Sequence, residues 1–312
     1  MHSFINLGEK GRLGNQMFQY ATLLSLVRQH SSIGAVPDRE IEIYKAFPNL
    51  SLKKMSTNDI LKQCKWIYSE RVDKDFCYNP NVFVVRDDTI IDGFFQSPLY
   101  FEQIKEEVFK EFTFSNEVTS RCASEYKDIK SSHTDTSICA VHIRRTDYLT
   151  KPDFHLNLSL EDYYYPAINF ILSKYPQTTF LVFSDDYEWC KSNLPPDIIY
   201  PTLSDQYHDM CLMSMCDSHI IANSSFSWWG AYLSKKNNDS LGGTVIAPGQ
   251  WFGKNGPFCV TIWDPSWITA GINNPMSIIN NLSEGEKVSL YNRHTLRTTG
   301  TASTIKDKTS DA

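Results

Sequence analysis

Three short apolar runs, each ending in a polar or charged cluster, constrain this chain most. Residues 138–143 run into Arg144-Arg145-Thr146-Asp147, residues 179–183 into Ser184-Asp185-Asp186, and residues 218–222 into Asn223-Ser224-Ser225. Each run is of strand length, and helical patterns over residues 160–175 and 205–216 separate them. Continuous apolar strands joined by helices imply a parallel sheet covered on both faces. Ligands of an open α/β sheet bind beyond the carboxyl ends of its strands. The three polar clusters are therefore expected along one edge of one sheet.

Their chemistry divides sensibly. Arg144 and Arg145 suit planar contact with phosphate or carboxylate oxygens, although a surface ion pair with Asp147 explains them equally. Ser224 and Ser225 stand where a helix opens, so hydroxyls and backbone amides there can hold a phosphate or simply cap the helix. Asp185, Asp186 and Asp209 can accept hydrogen bonds from a base or a ribose. Asp185 and Asp186 could instead form a metal pair, but adjacent carboxylates on a turn diverge, and no metal is expected. Trp228 and Trp229 read as packing residues.

The N-terminal half opens with a short strand, residues 3–6, and a turn containing Gly8, Gly11 and Gly14. A helix follows, with Met17, Tyr20, Ala21, Leu24 and Val27 on one face. Such a turn aims backbone N–H groups at an anion. Its Gly-x-x-Gly-x-x-Gly spacing fits neither a P-loop nor the dinucleotide fingerprint, and a tight turn needing positive φ is the simpler reading. Further strands are expected at 33–36, 66–68, 82–85, 89–95, 198–200 and 243–247, with helices at 99–111 and 116–129. Residues 130–136 read as an inter-domain linker.

At 41% hydrophobic and 21% charged residues, the composition is that of a soluble globular protein. A net charge of −6 argues against general nucleic-acid binding. With no signal-like segment and no apolar stretch near the ~20 residues of a membrane span, a soluble, cytoplasmic protein is expected. The eight scattered cysteines lack Cys-x-x-Cys and read as buried thiols of a reducing compartment.

Four stretches together resemble the α-1,2-fucosyltransferase family: residues 11–21 (Gly-Arg-Leu-Gly-Asn-Gln-Met-Phe-Gln-Tyr-Ala), 142–148 (His-Ile-Arg-Arg-Thr-Asp-Tyr), 183–186 and 221–231. Thr146, a position that is often glycine in bacterial relatives, is a mild departure. The resemblance implies a GT-B-type α/β fold, two Rossmann-like domains facing a cleft. The chain is then expected to divide into an acceptor-side domain (residues 1–132) and a donor domain (133–282), followed by a tail (283–312) that lies outside the resemblance and whose polar composition reads as disordered. The resemblance implies inverting transfer of L-fucose from GDP-β-L-fucose to the 2-hydroxyl of a galactose-terminated glycan. GDP-fucose is a co-substrate, and neither metal nor cofactor is required. Arg144, Ser224 and Ser225 would hold the β-phosphate, while His142 and Asp209 would contact the guanosine. From their places at the strand ends Arg145 and Asp185 are further donor-side candidates, with pairing to an acid in support of the fold as the alternative for Arg145. Arg12, Asn15 and Gln16 would lie near the fucose and acceptor, with Asp147 and Asp153 as candidate bases. Two alternatives stand beside this: a metal-dependent GT-A-type transferase using Asp185 and Asp186, and a non-catalytic nucleotide- or glycan-binding protein.

Overall fold

The computed structural model describes residues 1–70, 76–134, 136–203, 205–235 and 243–270. The polar tail expected from residue 283 lies outside the described residues. In the first half the order is β1 (His2–Ser3), α1 (Leu13–Gln29), β2 (Gly34–Pro37), α2 (Glu42–Ala46), β3 (Lys53–Met55), α3 (Thr57–Gln63), β4 (Trp66–Ser69), β5 (Thr89–Asp92), α4 (Lys105–Glu111) and α5 (Asn116–Ser132). The second half continues with β6 (Ser137–Ile143), α6 (Thr146–Leu149), α7 (Tyr165–Lys174), β7 (Thr178–Ser184), α8 (Tyr187–Asn193) and α9 (Gln206–Met215). It ends with β8 (Ser218–Ile220), α10 (Ser225–Ser234), β9 (Val245–Pro248) and β10 (Ile268–Ala270).

The strands form two five-stranded sheets, ordered β3-β2-β1-β5-β4 and β10-β9-β8-β6-β7. Every pairing within them is parallel. This is the expected GT-B-type α/β arrangement. In each sheet the chain leaves a central strand to one side and later returns to its other flank. The direction of winding therefore reverses between β1 and β5 and again between β6 and β8. Such reversals open a crevice at the carboxyl ends of the strands.

Helix α1 joins the halves. It was expected to bury one face, but every residue from Leu13 to Val27 except Asn15 is buried. Phe18 explains this, because its ring centroid lies 4.5 Å from that of Trp228 and 5.0 Å from that of Trp229, both on α10. Both tryptophans are wholly buried, in the packing role their size suggested. Gly14 sets how closely the two helices approach. A Cβ there would lie 2.6 Å from the Ser225 carbonyl carbon and 2.7 Å from the Phe226 nitrogen. Gly8 and Gly11 take the positive φ values, +88° and +85°, that make the preceding turn.

Several local expectations are corrected. Residues 82–85 are not a strand: Pro80 pre-sets a 3₁₀ turn over Pro80–Val84, and the Asn79 side chain accepts a hydrogen bond from Asn81 N at 3.0 Å. Residues 198–200 contribute only a single bridge, Ile199 to Leu181. The helix expected over 99–111 begins as two 3₁₀ turns and becomes α-helical at Lys105. The helix expected over 160–175 begins with a π turn, Leu160–Tyr164. Helix α5 runs on to Ser132, into the segment read as a linker. Strand β3 escaped notice because its lysines face solvent at a sheet edge, where charge guards against further pairing. No helix among the described residues is long and apolar enough to cross a membrane.

Gly14→Ala should be costly. Helix propensity favours Ala by about 1 kcal/mol at most, whereas forcing backbone apart inside a packed seam costs roughly 1–3 kcal/mol. The expected outcome is a Tm several degrees lower in a thermal melt. An unchanged or raised Tm would show that the helices separate freely.

Candidate active site

The two crevices open onto one cavity of about 670 Å³. The glycine turn and the start of α1 form one wall, through residues such as Arg12, Gly14 and Asn15. The ends of β6 and β7 and the start of α10 form the other, through His142, Arg144, Asp147, Asp185, Ser224 and Ser225. Asp209, on the first turn of α9, closes one end.

The cavity brings two helix N-termini together. Helix α1 opens at Arg12 without a side-chain cap. Helix α10 opens at Ser224, whose hydroxyl accepts from Phe226 N at 3.4 Å. A helix N-terminus carries unpaired N–H groups and roughly half a positive charge. Arg12 and Arg144 add full charges, so this wall is built for an anion. Gly14 makes the pairing possible, because no side chain separates the two termini.

Arg144 is mostly buried, at 18% side-chain exposure. Its Nε donates to Asp147 Oδ1 at 2.9 Å and lies 3.3 Å from Asp185 Oδ2. Burial opposes the charge, but these two carboxylates outweigh it and hold the guanidinium pKa above its ordinary value. For Asp147 burial pushes the other way, yet the Arg144 hydrogen bond and charge prevail and hold its carboxyl below the usual range. Asp147 thus holds Arg144 in place.

His142 is 4% exposed, and its Nδ1 has no hydrogen-bond partner among the described residues. Burial first, then the neighbouring Arg144 charge, lower its pKa to about 3, so the ring is neutral. Asp209 carries the opposite perturbation. Burial first, then the charges of Asp205 and Glu125, raise its pKa to about 8. Its Oδ1 is buried with no partner among the described residues. A buried carboxyl without a donor is costly, and a ligand that supplied N–H groups would relieve it.

Gln16 and Asp153 are corrected in placement, Arg145 takes its acid-paired alternative, and Asp185 has a second task. Arg145 does not line the cavity: its side chain turns to Asp186 at 3.2 Å and its guanidinium lies 3.6 Å from the centre of the Trp189 ring. Asp185 reaches the cavity wall, but its oxygens accept from Arg145 N at 2.9 Å, Thr146 N at 3.2 Å and the Thr146 hydroxyl, which fixes the turn after β6. Gln16 points away from the cavity. It donates to Glu42 Oε2 at 2.9 Å, and Glu42 Oε1 in turn accepts from Gln206 at 3.3 Å. Asp153 is exposed and pairs with Lys254 at 3.0 Å, outside the cavity wall.

Other lining residues went unnoticed in the sequence. Phe226 faces the His142 ring at 5.7 Å. Tyr148 and His155 stack at 4.2 Å and 8°. Gln96 donates to Asn15 Oδ1. Asn223 also lines the cavity, and its amide donates to Leu156 O and Trp251 O, at 3.1 and 2.8 Å, and so binds two loops to the end of β8. Only the position of Phe226, directly after the serine pair, offered a signal.

The sequence profile of glycosyl transferase family 11 matches residues 3–268. The chain belongs to that family. It is a glycosyltransferase, and the cavity is its candidate active site. It is 32% identical to an α-1,2-colitosyltransferase of Escherichia coli, over 78% of this chain and 90% of the relative. It is 28% identical to the O-antigen biosynthesis glycosyltransferase WbnK of the same species, over 83% and 97%. It is 24% identical to the galactoside 2-α-L-fucosyltransferase Sec1 of Mus musculus, over 86% and 75%. Among solved structures, POFUT1 in complex with GDP aligns at a TM-score of 0.45 and 13% identity, over 75% of this chain and 94% of that one.

If Asp185 fixes the arginine turn, Asp185→Ala strands the Arg145 and Thr146 amides. Leaving a partly buried donor unpaired costs about 1–3 kcal/mol. The variant should melt several degrees lower and lose transfer activity. Wild-type stability with activity retained would mean that the turn holds itself.

Proposed function

We propose that the protein transfers L-fucose from GDP-β-L-fucose to the 2-hydroxyl of a galactose-terminated glycan, with inversion and without a metal ion. The observation that carries this reading is the wall formed by Arg144 and two abutting helix N-termini. When the acceptor oxygen attacks the anomeric carbon, the bond to GDP breaks and negative charge grows on the β-phosphate. Fixed donors and dipoles aimed at growing charge stabilise the transition state without reorganising. Ser225 and the first amides of α10 stand beside Arg144, and Arg12 faces them from the other half.

The acid pair that a metal would use is already engaged. Asp185 holds the arginine turn, and Asp186 caps α8 through Trp189 N while pairing with Arg145. Arg144 then supplies the charge a metal would bring. Asp209 suits the guanine end, because guanine offers adjacent N–H donors that a carboxylate can accept. Of the two candidate bases only Asp147 lines the cavity, and the charge of Arg144 makes it a weak one. The reaction then leans on stabilising the leaving group.

A second reading has its own support. The 32% relative is named for colitose, so a colitosyl donor fits the same diphosphate wall. A donor screen offering GDP-fucose and GDP-colitose with galactose-terminated acceptors, followed by linkage analysis, decides between them. An α-1,2 product from GDP-fucose supports the first reading, and a product only from GDP-colitose overturns it.

Arg144→Ala should lower kcat by roughly 10²–10³-fold with the fold intact by circular dichroism. Arg144→Lys should recover little, because a lysine cannot bridge Asp147, Asp185 and a phosphate together. EDTA should leave the rate unchanged; loss with EDTA and recovery with Mn²⁺ would contradict the mechanism.

Donor binding should also depend on pH. Asp209 starts protonated below about pH 8 and must ionise to accept from guanine. GDP-fucose affinity should therefore rise by up to about tenfold per unit between pH 6 and 8 and then level. Asp209→Asn should flatten that profile in a calorimetric titration. A flat profile in the unmodified protein would remove Asp209 from the base site.

A further inference from the structure

The far end of α1 carries a second cluster that sugar transfer does not use. His2 opens β1, His30 caps the C-terminus of α1, and Asp87 sits in the turn before β5. Each offers one ligand atom, and the three atoms lie within 4.8 Å of one another. His2 Nε2 is 3.6 Å and His30 Nδ1 3.9 Å from Asp87 Oδ1. Both separations are too long for good hydrogen bonds. They exceed by only a few tenths of an ångström the roughly 3.4 Å edge of a tetrahedron whose ligands lie ~2.0–2.1 Å from zinc.

The hydrogen-bonding pattern is that of a ligand set. The His2 ring is wholly buried, and neither of its nitrogens has a hydrogen-bond partner among the described residues. An ordinary buried histidine is hydrogen-bonded. His30 Nε2 lies 2.9 Å from the Phe83 carbonyl oxygen. A carbonyl only accepts, so Nε2 bears the proton and Nδ1 presents its lone pair towards Asp87. A backbone carbonyl fixing the tautomer of a ligating histidine is a recurrent outer shell of metal sites. The two rings meet edge to face at 4.8 Å. Asp87 is 76% exposed, which leaves an open side for a water as fourth ligand. Asp88 is occupied by the N-terminal amine of Met1 at 3.1 Å.

We propose that His2, His30 and Asp87 form a binding site for a divalent transition-metal ion of the zinc type. Two imidazoles select such an ion over calcium or magnesium, which prefer oxygen ligands. The site lies at the amino end of β1, whereas the transfer cavity lies beyond the carboxyl ends of the strands. Its ion would tie the first strand, the end of α1 and the turn before β5 together, and would take no part in the transfer chemistry.

The test uses the full chain without an affinity tag, stripped by a chelator and titrated with Zn²⁺ against a chromophoric competitor. One equivalent should bind. Saturating Zn²⁺ at about a hundredfold above Kd should raise Tm by roughly 5 °C. His30→Ala and Asp87→Ala, both on solvent-accessible side chains, should each weaken binding more than about tenfold and abolish the Tm shift. Absence of stoichiometric binding, or equal binding by both variants, would overturn the site. The readout involves no turnover, so its failure is distinguishable from failure of the transfer reading.

Discussion

The cavity depends on one approach: the first turn of α1 against the first turn of α10, with Gly14 at the contact. Two helix N-termini brought together are two positive dipole ends in one place, which water or an anion must offset. The seam behind them is aromatic and dry. Phe18 of α1 rests on Trp228 and Trp229 of α10, and the Phe101 ring stacks on Trp229 at 5.3 Å. Burial of that seam offsets the cost of aligning the termini. Within a chain of net charge −6, this wall gathers Arg12, Arg144 and two helix N-termini in one place.

The acids near that wall do structural work. Asp147 and Asp185 hold Arg144, Asp186 holds Arg145, and Asp185 also takes the amides of the turn. The consequence is an arginine pre-positioned before any ligand arrives, which is what electrostatic catalysis requires. The glutamate between Gln16 and Gln206 plays a related part. Glu42 accepts from a residue in each half and so contributes to keeping the two walls in register.

Much of this was legible in the chain. The apolar runs ending at Ile143, Phe183 and Ala222 pointed to the second sheet and the shared edge, because buried parallel strands leave an unambiguous pattern. That pattern also placed Arg144, Ser224 and Ser225 on the cavity wall. Where it misled, the cause was the direction of a side chain after its strand ended. Arg144 and Arg145 are adjacent and chemically alike, yet one faces the cavity and the other stacks on Trp189. That difference is set by the turn geometry, which the sequence does not print. Gln16 failed similarly, since α1 is buried on all sides and its polar residues must find partners inside the protein. The cavity aromatics Tyr148, His155 and Phe226, on α6, the loop after it and the first turn of α10, form no shared periodic pattern and are brought together only by the fold.

The central claim is that Arg144 and the two helix N-termini hold the donor diphosphate. A crystal structure with GDP bound tests it most directly. The account predicts the β-phosphate within hydrogen-bonding distance of the Arg144 guanidinium and of the first backbone amides of α10, with the guanine beside Asp209. Phosphates held instead through a metal on Asp185 and Asp186, or lying away from α10, would contradict it.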